Sequence, residues 1–397
     1  MKKHYVFLRR FSEQPVWGGC ENRVLDYFAR IDYSKTTVTL LVNHDLFSQR
    51  FNERKISARV QLFPFNLRTR MRHFWKMLIF LRSFRPTHVV IIQGAFTDFT
   101  LADFLAGYLV SRGRLYSLEV LGAPKPPLKI SRNYFGFLHG IGLWWYSQMI
   151  RMNTRSLLCT RILAVSEEVK QRLVSFYRYP AERITTVFHG VDTDRFRNDP
   201  KVKREMRDRL GFSKDDILFI STARLSTEKR IDRLIRAFDA IYSEHKNIRL
   251  LLLGTGSLEA ELKTLAGSLP CVDRIAFLGF QEDVSDYLKM SDVYVLPSDI
   301  EGLGIALLEA MATGLICVAT HNPGPNEILQ GPHRGFLVEK TDEGIRQGMI
   351  NALRLSPDEK LRLAEQARLF ISEHFQRDQR VSDALRILGI DTVSDAC

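Results

Sequence analysis

Two doubly wound α/β domains, each a parallel sheet with helices on both faces, are the fold predicted for this chain. Three observations predict it. The 397 residues exceed what one domain usually holds, the 45% apolar content can fill a full core, and short β-branched runs alternate with helical patterns throughout.

In the first half the strand candidates are Tyr5–Leu8, Thr37–Val42, His88–Ile92, Leu115–Val120, Arg161–Val165 and Ile184–Phe188. In the second half they are Ile217–Ser221, Ile248–Leu253, Ile275–Leu278, Val293–Leu296, Ile316–Ala319 and Gly335–Val338. Two separate series imply two lobes. The seam is expected between His189 and Pro200, where strand character stops at a glycine and polar residues precede a helix over Lys201–Leu210, which gives domains 1–193 and 194–375. Ser356-Pro357-Asp358-Glu359 opens a helix running to Phe375, with Ser as cap and Pro in the first turn. A further helix follows over Arg377–Leu388, and the segment of about 376–390 can pack back on the first lobe.

The N-terminal run Val6-Phe7-Leu8, closed by Arg9 and Arg10, is too short for a signal peptide and reads as a buried strand. The longest apolar stretch, Tyr134–Ile150, is interrupted by His139 and Gln148 and falls short of the roughly 20 residues a spanning helix needs, so no transmembrane segment is expected. Five scattered cysteines without a CxxC pair point to a reducing compartment and no structural zinc.

The net charge of +12 is unevenly placed: residues 1–192 carry 29 Lys/Arg against 13 Asp/Glu, and the remainder 28 against 32. A basic half attracts nucleic acid or anionic lipid. Over Asn66–Arg85, six cations (Arg68, Arg70, Arg72, Lys76, Arg82 and Arg85) interleave with Phe74, Trp75, Met77, Leu78, Ile79 and Leu81, with no acid. That is a basic amphipathic helix suited to an anionic membrane surface, or an ordinary helix packing its apolar side on the sheet. No helix-turn-helix or RNP pattern supports a nucleic-acid partner.

The stretch Pro297-Ser298-Asp299-Ile300-Glu301-Gly302-Leu303-Gly304-Ile305 places an acid and a glycine turn between a strand and the helix Ala306–Thr313. Free amides at such a helix start bind diphosphate, beyond the carboxyl ends of the strands where ligands enter these sheets. Acids beside a diphosphate are suited to sugar and ribose hydroxyls, which makes Glu301 and Glu309 candidates. Arg224 and Lys229, between a strand and the helix Ile231–His245, would bring cations to neutralise a leaving diphosphate without a metal. Asp192-Thr193-Asp194 imitates a metal-binding DxD but is better read as a turn fixed by Asp192.

The ordered set Arg224…Lys229, Gly254-Thr255-Gly256, Phe277-Leu278-Gly279-Phe280, Glu301-Gly302-x-Gly304-x4-Glu309-Ala310-Met311-Ala312-x-Gly314 and Gly335-Phe336-Leu337-Val338 resembles the retaining glycosyltransferases of family 4. Ala164-Val165-Ser166, Gly190-Val191-Asp192-x3-Phe196 and Gly18-Gly19-x-Glu21 extend the likeness, which is strong over residues 160–340 and faint over 40–150. The resemblance implies a GT-B fold, two Rossmann-like lobes facing a central cleft. It also implies that Arg224 and Lys229 bind the donor diphosphate, Glu301 the donor sugar and Glu309 the ribose. Gly302, Leu303 and Gly304 would offer backbone to the phosphates, Gly18 and Gly19 would form a loop touching phosphate and acceptor, and Gly254, Gly256 and Phe280 would flank the base.

The histidine that many members carry near the acceptor is absent from Ile91-Ile92-Gln93-Gly94 and Ser117-Leu118-Glu119-Val120, which leaves Glu119 as a polar substitute or a structural acid. The implied function is retaining, metal-independent hexosyl transfer. It would run from a UDP- or GDP-sugar to a lipid-linked or cell-surface glycan of lipopolysaccharide, capsule or exopolysaccharide. The enzyme is expected in the cytoplasm, peripheral on the inner face of the plasma membrane. The alternative is a non-catalytic GT-B subunit that binds nucleotide sugar or glycan and supports a partner enzyme.

Overall fold

A computed structural model of the chain describes residues 2–11, 19–63, 70–93, 99–119, 153–331 and 334–393. The chain divides into two units, residues 1–188 together with 381–397, and residues 189–380. Each is built around one parallel sheet, the doubly wound α/β architecture expected.

The first unit holds β1 (Lys3–Arg9), β2 (Thr36–Val42), β3 (Arg59–Leu62), β4 (His88–Gln93), β5 (Leu115–Glu119), β6 (Arg161–Ala164) and β7 (Ile184–Thr186). Their order is β3-β2-β1-β4-β5-β6-β7, so the winding reverses between β1 and β4. Strand β3 was not anticipated. It is a four-residue edge strand, Arg-Val-Gln-Leu, with no fully buried residue, and an edge covered on so little of its surface needs no apolar run. In the helix Gly19–Ala29, Val24, Leu25, Tyr27 and Phe28 are buried. Arg23 is buried among them, its Nε donating to the Tyr27 hydroxyl (2.7 Å) and Nη2 to the Val187 carbonyl (2.9 Å), which satisfies a charge that would otherwise be costly there. The same core contains Val381, Ala384, Leu385, Leu388 and Ile390 from the end of the chain, and the Tyr5 hydroxyl donates to the carbonyls of Leu388 (3.0 Å) and Gly389 (2.9 Å).

The second unit holds β8 (Ile217–Thr222), β9 (Ile248–Leu253), β10 (Ile275–Gly279), β11 (Val293–Leu296), β12 (Ile316–Thr320) and β13 (Phe336–Val338), in the order β10-β9-β8-β11-β12-β13. Here the reversal falls between β8 and β11. The helix Ile231–Tyr242 buries Ile231, Leu234, Ile235, Phe238 and Ile241, the three-and-four spacing of one helical face. Asp199 caps Pro200–Leu210, and Ser356 with Glu359 forms a capping box on Pro357–His374. Gly190 is required by contact. A Cβ there would lie 2.4 Å from the Arg377 Cα, where the Val191 amide donates to the Phe375 carbonyl (2.7 Å) and the Arg377 amide to the Val191 carbonyl (3.0 Å). Asp192 accepts from the amides of Asp194 (3.2 Å) and Arg195 (3.0 Å) and pairs with Arg377 (2.9 Å), so its carboxylate is engaged in a turn and an ion pair.

The basic helix expected over 66–85 runs from Arg70 to Ser83; Arg68 and the side chains of Arg70 and Arg72 lie outside the described residues. Tyr134–Ile150 does too. No helix among the described residues is long and apolar enough to cross a membrane.

Candidate functional site

Ligands of doubly wound sheets enter beyond the carboxyl ends of the strands where the winding reverses, which in the second unit is beyond β8 and β11. β8 leads into Ala223–Lys229 and β11 into Ser298–Gly304, the two segments richest in candidate residues. Lys229 ends a short 3-10 turn, Thr227–Lys229, and its Nζ donates to Glu301 Oε1 at 2.5 Å. Ser298 Oγ donates to the same oxygen at 3.0 Å. Glu301 is only 8% exposed. Taking an ion pair this far out of water is weak grounds for stability, and charges placed so are commonly ones that a site uses.

The loop carrying Glu301 is fastened by residues that the sequence did not single out. Asn322 Oδ1 accepts from the Glu301 amide (3.2 Å) while its Nδ2 donates to the Ser298 carbonyl (2.8 Å). Thr320 Oγ1 donates to that carbonyl as well (2.6 Å), and Lys340 Nζ donates to the Asp299 carbonyl (2.6 Å) and to Asn322 Oδ1 (3.0 Å). The Asp299 amide donates to the Glu228 carbonyl (2.8 Å), which links this loop to the one ending in Lys229. Asn322 precedes Pro323 at the start of a helix and so reads as an ordinary cap, yet its side chain makes no capping bond and serves the Glu301 loop instead. Asn322→Ala strands a buried amide and shares out a buried carbonyl. It should cost about 1–3 kcal/mol, read as a lowered Tm with unchanged secondary structure.

Tyr294, within the expected strand Val293–Leu296, is fully buried in β11. Its hydroxyl meets Thr222 Oγ1 at 3.4 Å. Burial above all, with the negative fields of Glu301 and Glu309 adding to it, raises it well above the usual phenol range.

Gly304 has φ 84°, a left-handed residue leading into the helix Ile305–Thr313, which has no side-chain cap at its start. Gly302 and Leu303 are buried in the turn before it, and a Cβ on Gly324 would sit 2.0 Å from the Leu303 carbonyl oxygen. Gly254 (φ 128°) and Gly256 leave no room for Cβ atoms against the carbonyls of Ala223 and Leu225, at 2.0 and 2.3 Å. The Leu225 amide donates to the Thr255 carbonyl (2.9 Å) and the Leu258 amide to the Leu225 carbonyl (3.0 Å), so the exposed Arg224 and the Gly254–Gly256 turn belong to one backbone assembly. The Gly254 amide donates to the carbonyl of Gly279 (2.8 Å), and Phe280 follows, 47% exposed. The second unit thus carries Arg224, Lys229, Gly254, Gly256, Phe280, Glu301, Gly302, Leu303 and Gly304 on the strand-end loops of one sheet, and Glu309 on the helix Ile305–Thr313 that follows one of them.

In the first unit, Gly18 lies outside the described residues and Gly19 opens the helix Gly19–Ala29. Glu21 is paired with Arg9 (3.0 Å). Glu119, at the end of β5 and 2% exposed, accepts at Oε1 from Gln93 Nε2 and Ser117 Oγ, both at 2.7 Å, and so ties the ends of β4 and β5. Asp103 is buried with His73 (2.7 Å) and Arg10 (3.3 Å); burial would raise its carboxyl, but the His73 hydrogen bond and the Arg10 charge hold it below the usual range. Among the described residues no three His, Cys, Asp or Glu side chains are grouped to hold a metal ion.

Two family models match the chain in succession: Glycosyltransferase Family 4 over residues 17–195, and Glycosyl transferases group 1 over residues 202–370. The chain is similar to the putative glycosyltransferase EpsD of Bacillus subtilis, 32% identical over 45% of this chain and 47% of that protein. It is also similar to the UDP-Gal:alpha-D-GlcNAc-diphosphoundecaprenol alpha-1,3-galactosyltransferase of Escherichia coli, 30% identical over 59% of this chain and 61% of that protein. The chain spans about half the length of the curated relatives it matches. In three dimensions it resembles Anabaena HepE in complex with UDP and glucose, with a TM-score of 0.76, 18% identity, and coverage of 98% of this chain and 99% of that one, a likeness of fold.

Proposed function

The chain belongs to glycosyltransferase family 4 and has the GT-B type of architecture, and from that premise we propose that it is a retaining hexosyltransferase. It takes its sugar from a UDP- or GDP-sugar and delivers it to a lipid-linked or cell-surface glycan in lipopolysaccharide, capsule or exopolysaccharide synthesis. It does so without a metal, in the cytoplasm and peripheral on the inner face of the plasma membrane. The observation that carries the reading is the Lys229–Glu301 ion pair, its carboxylate buried, at the strand ends where the winding of the second sheet reverses. The E. coli relative named above acts, by its name, from UDP-Gal onto a diphosphoundecaprenol-linked sugar, which supports this class of donor and acceptor.

In this reading Lys229, Arg224 and the bare amides after Gly304 receive the diphosphate. Positive charge fixed where the leaving phosphates gain charge stabilises the transition state without reorganisation. Glu301 holds the donor sugar near its reacting carbon, Glu309 takes the ribose hydroxyls, and Phe280 with the Gly254–Gly256 turn flanks the base. Gly18 and Gly19 serve the phosphate and acceptor, and Glu119 supplies a carboxylate on the acceptor side. The departing phosphate oxygen takes the acceptor's proton as the new glycosidic bond forms on the same face.

The test is a panel of UDP-, GDP-, ADP- and dTDP-sugars in the presence of EDTA, following thermal stabilisation and slow donor hydrolysis. Stabilisation by UDP or GDP compounds, with hydrolysis, is expected. Hydrolysis that requires added metal would sink the metal-free mechanism, and binding that never leads to turnover, even with lipid-linked glycans supplied, would leave a sugar-binding subunit.

A further inference from the structure

Five residues other than glycine adopt a positive φ among the described residues: Lys55, Arg85, Arg112, Arg178 and Arg230. The first four stand one or two positions past the end of an α-helix, where a left-handed residue is the usual way to stop one. Arg230 (φ 50°) is placed differently. It joins the 3-10 turn that ends in Lys229 to the helix Ile231–Tyr242, so a strained backbone sits directly beside a residue of the candidate site. Its side chain is fixed on two sides. Nε and Nη2 donate to the two carboxylate oxygens of Asp232, both at 3.0 Å, and Nη1 donates to Asp299 Oδ2 at 3.1 Å. Burial would raise the Asp232 carboxyl, but the hydrogen bonds from Arg230 and Arg236 hold it at about 2, so this fork stays charged across the neutral range.

Asp299, two residues before Glu301, is engaged at every polar group. Its amide donates to the Glu228 carbonyl (2.8 Å), its carbonyl accepts from Lys340 Nζ (2.6 Å), Oδ2 accepts from Arg230 and Oδ1 from Arg233 Nη1. The loops that carry Lys229 and Glu301 are therefore joined twice by side chains, Lys229 to Glu301 (2.5 Å) and Arg230 to Asp299. Stability does not account for the second joint. The Arg230 and Asp299 side chains are 25% and 34% exposed, and pairs with this access to water add little to a fold, while a left-handed arginine weakens it. What the pair fixes is geometry. Arg230 is locked by Asp232 and Asp299 by Arg233, so neither side chain can turn away without breaking a second charged contact.

We propose that Arg230 and Asp299 are positioning residues: their ion pair clasps the two loops and so holds Lys229 and Glu301 in contact at the strand ends. The inference rests on the transferase reading for what the held pair does. It goes past that reading by placing part of the site's precision in two residues whose effect passes through Lys229 and Glu301. Catalytic groups displaced by about 1 Å can lose roughly two orders of magnitude in rate, so the rate is where a loosened clasp should be felt.

Arg230→Gly and Asp299→Ala test this in the full chain. Glycine accepts the left-handed backbone without strain, which offsets the lost ion pairs, so the Tm of Arg230→Gly should stay within about 3 °C of wild type. The first readout needs no turnover. Lys229 is acetylated with a limiting amount of acetic anhydride and the product is read by mass spectrometry. Labelling should be at least about threefold faster in both variants, because Lys229 spends less time on Glu301. Lys203, paired with Asp292 elsewhere in the same unit (2.7 Å), should react as in wild type. The second readout is hydrolysis of the UDP- or GDP-sugar that wild type accepts. There kcat should fall roughly 10- to 100-fold with KM within about twofold, and the double variant should be no slower than Asp299→Ala alone, since both changes remove one contact. Unchanged Lys229 labelling, equal gains at Lys229 and Lys203, or wild-type kcat in both variants would overturn the proposal. Absence of donor hydrolysis in wild type would fail the transferase reading instead, and the labelling would then decide the clasp by itself.

Discussion

Replacing Glu301 by Gln is expected to lower donor hydrolysis and sugar transfer by roughly 10²–10³-fold, while the nucleotide alone still stabilises the fold. The amide keeps the shape of the side chain and can still accept from Ser298 and Lys229, both of which reach the same oxygen, Oε1. What it removes is the negative charge next to the reacting sugar and the partner charge of Lys229. A wild-type KM for the nucleotide sugar with a collapsed kcat would mark Glu301 as acting on the transition state. A fall in nucleotide affinity with kcat preserved would instead make it a support for Lys229, and the assignment of the sugar to Glu301 would fail.

Gly254→Ala should have the largest effect on stability. At φ 128° the backbone already disfavours a side chain, and the new Cβ would lie 2.0 Å from the Ala223 carbonyl oxygen, which is backbone and cannot rotate aside. Strain and overpacking together should cost about 3 kcal/mol or more, a fall in Tm of roughly 6–12 °C for a unit of this size. Because Ala223 adjoins Arg224, nucleotide stabilisation should disappear with it. Gly279→Ala is the comparison. Its φ is also positive (66°) but nothing lies within 4 Å of its Cβ, so only about 1 kcal/mol should be lost. Equal losses at the two positions would show that backbone conformation alone, and not the contact with Ala223, sets the requirement for glycine at 254.

Most of the fold was legible because strands covered on both faces carry runs of consecutive apolar residues, as in Tyr5–Leu8 of β1, Val89–Ile92 of β4, Leu250–Leu253 of β9 and Val293–Leu296 of β11. β3 escaped because it is short, half covered and at an edge. The glycines and acids of the candidate site were legible as an ordered motif, since their spacing follows the strand–turn–helix unit that carries them. Asn322, Lys340 and Tyr294 were not. Each acts through a contact between strands distant in sequence, Asn322 on Glu301 and Lys340 on Asp299, and nothing near them in the chain distinguishes a site tie from a helix cap, a surface lysine or a core tyrosine. Glu119 was noticed, but its two donors, Gln93 and Ser117, come into view only when β4 and β5 lie side by side.

The return of residues 381–390 into the core of the first unit has a consequence for how the protein is made. A ribosome finishes β7 and then synthesises the entire second unit before it delivers Val381, Ala384, Leu385 and Leu388, a delay on the order of ten seconds or more at ordinary elongation rates. Through that interval the nascent first unit has its sheet but not the apolar side chains that close it, nor the carbonyls of Leu388 and Gly389 that the Tyr5 hydroxyl meets. The second unit has no such wait, because residues 189–380 emerge as one continuous stretch. The order of completion in the cell therefore runs opposite to the order of synthesis, and the unfinished N-terminal unit is the species on which chaperones would act.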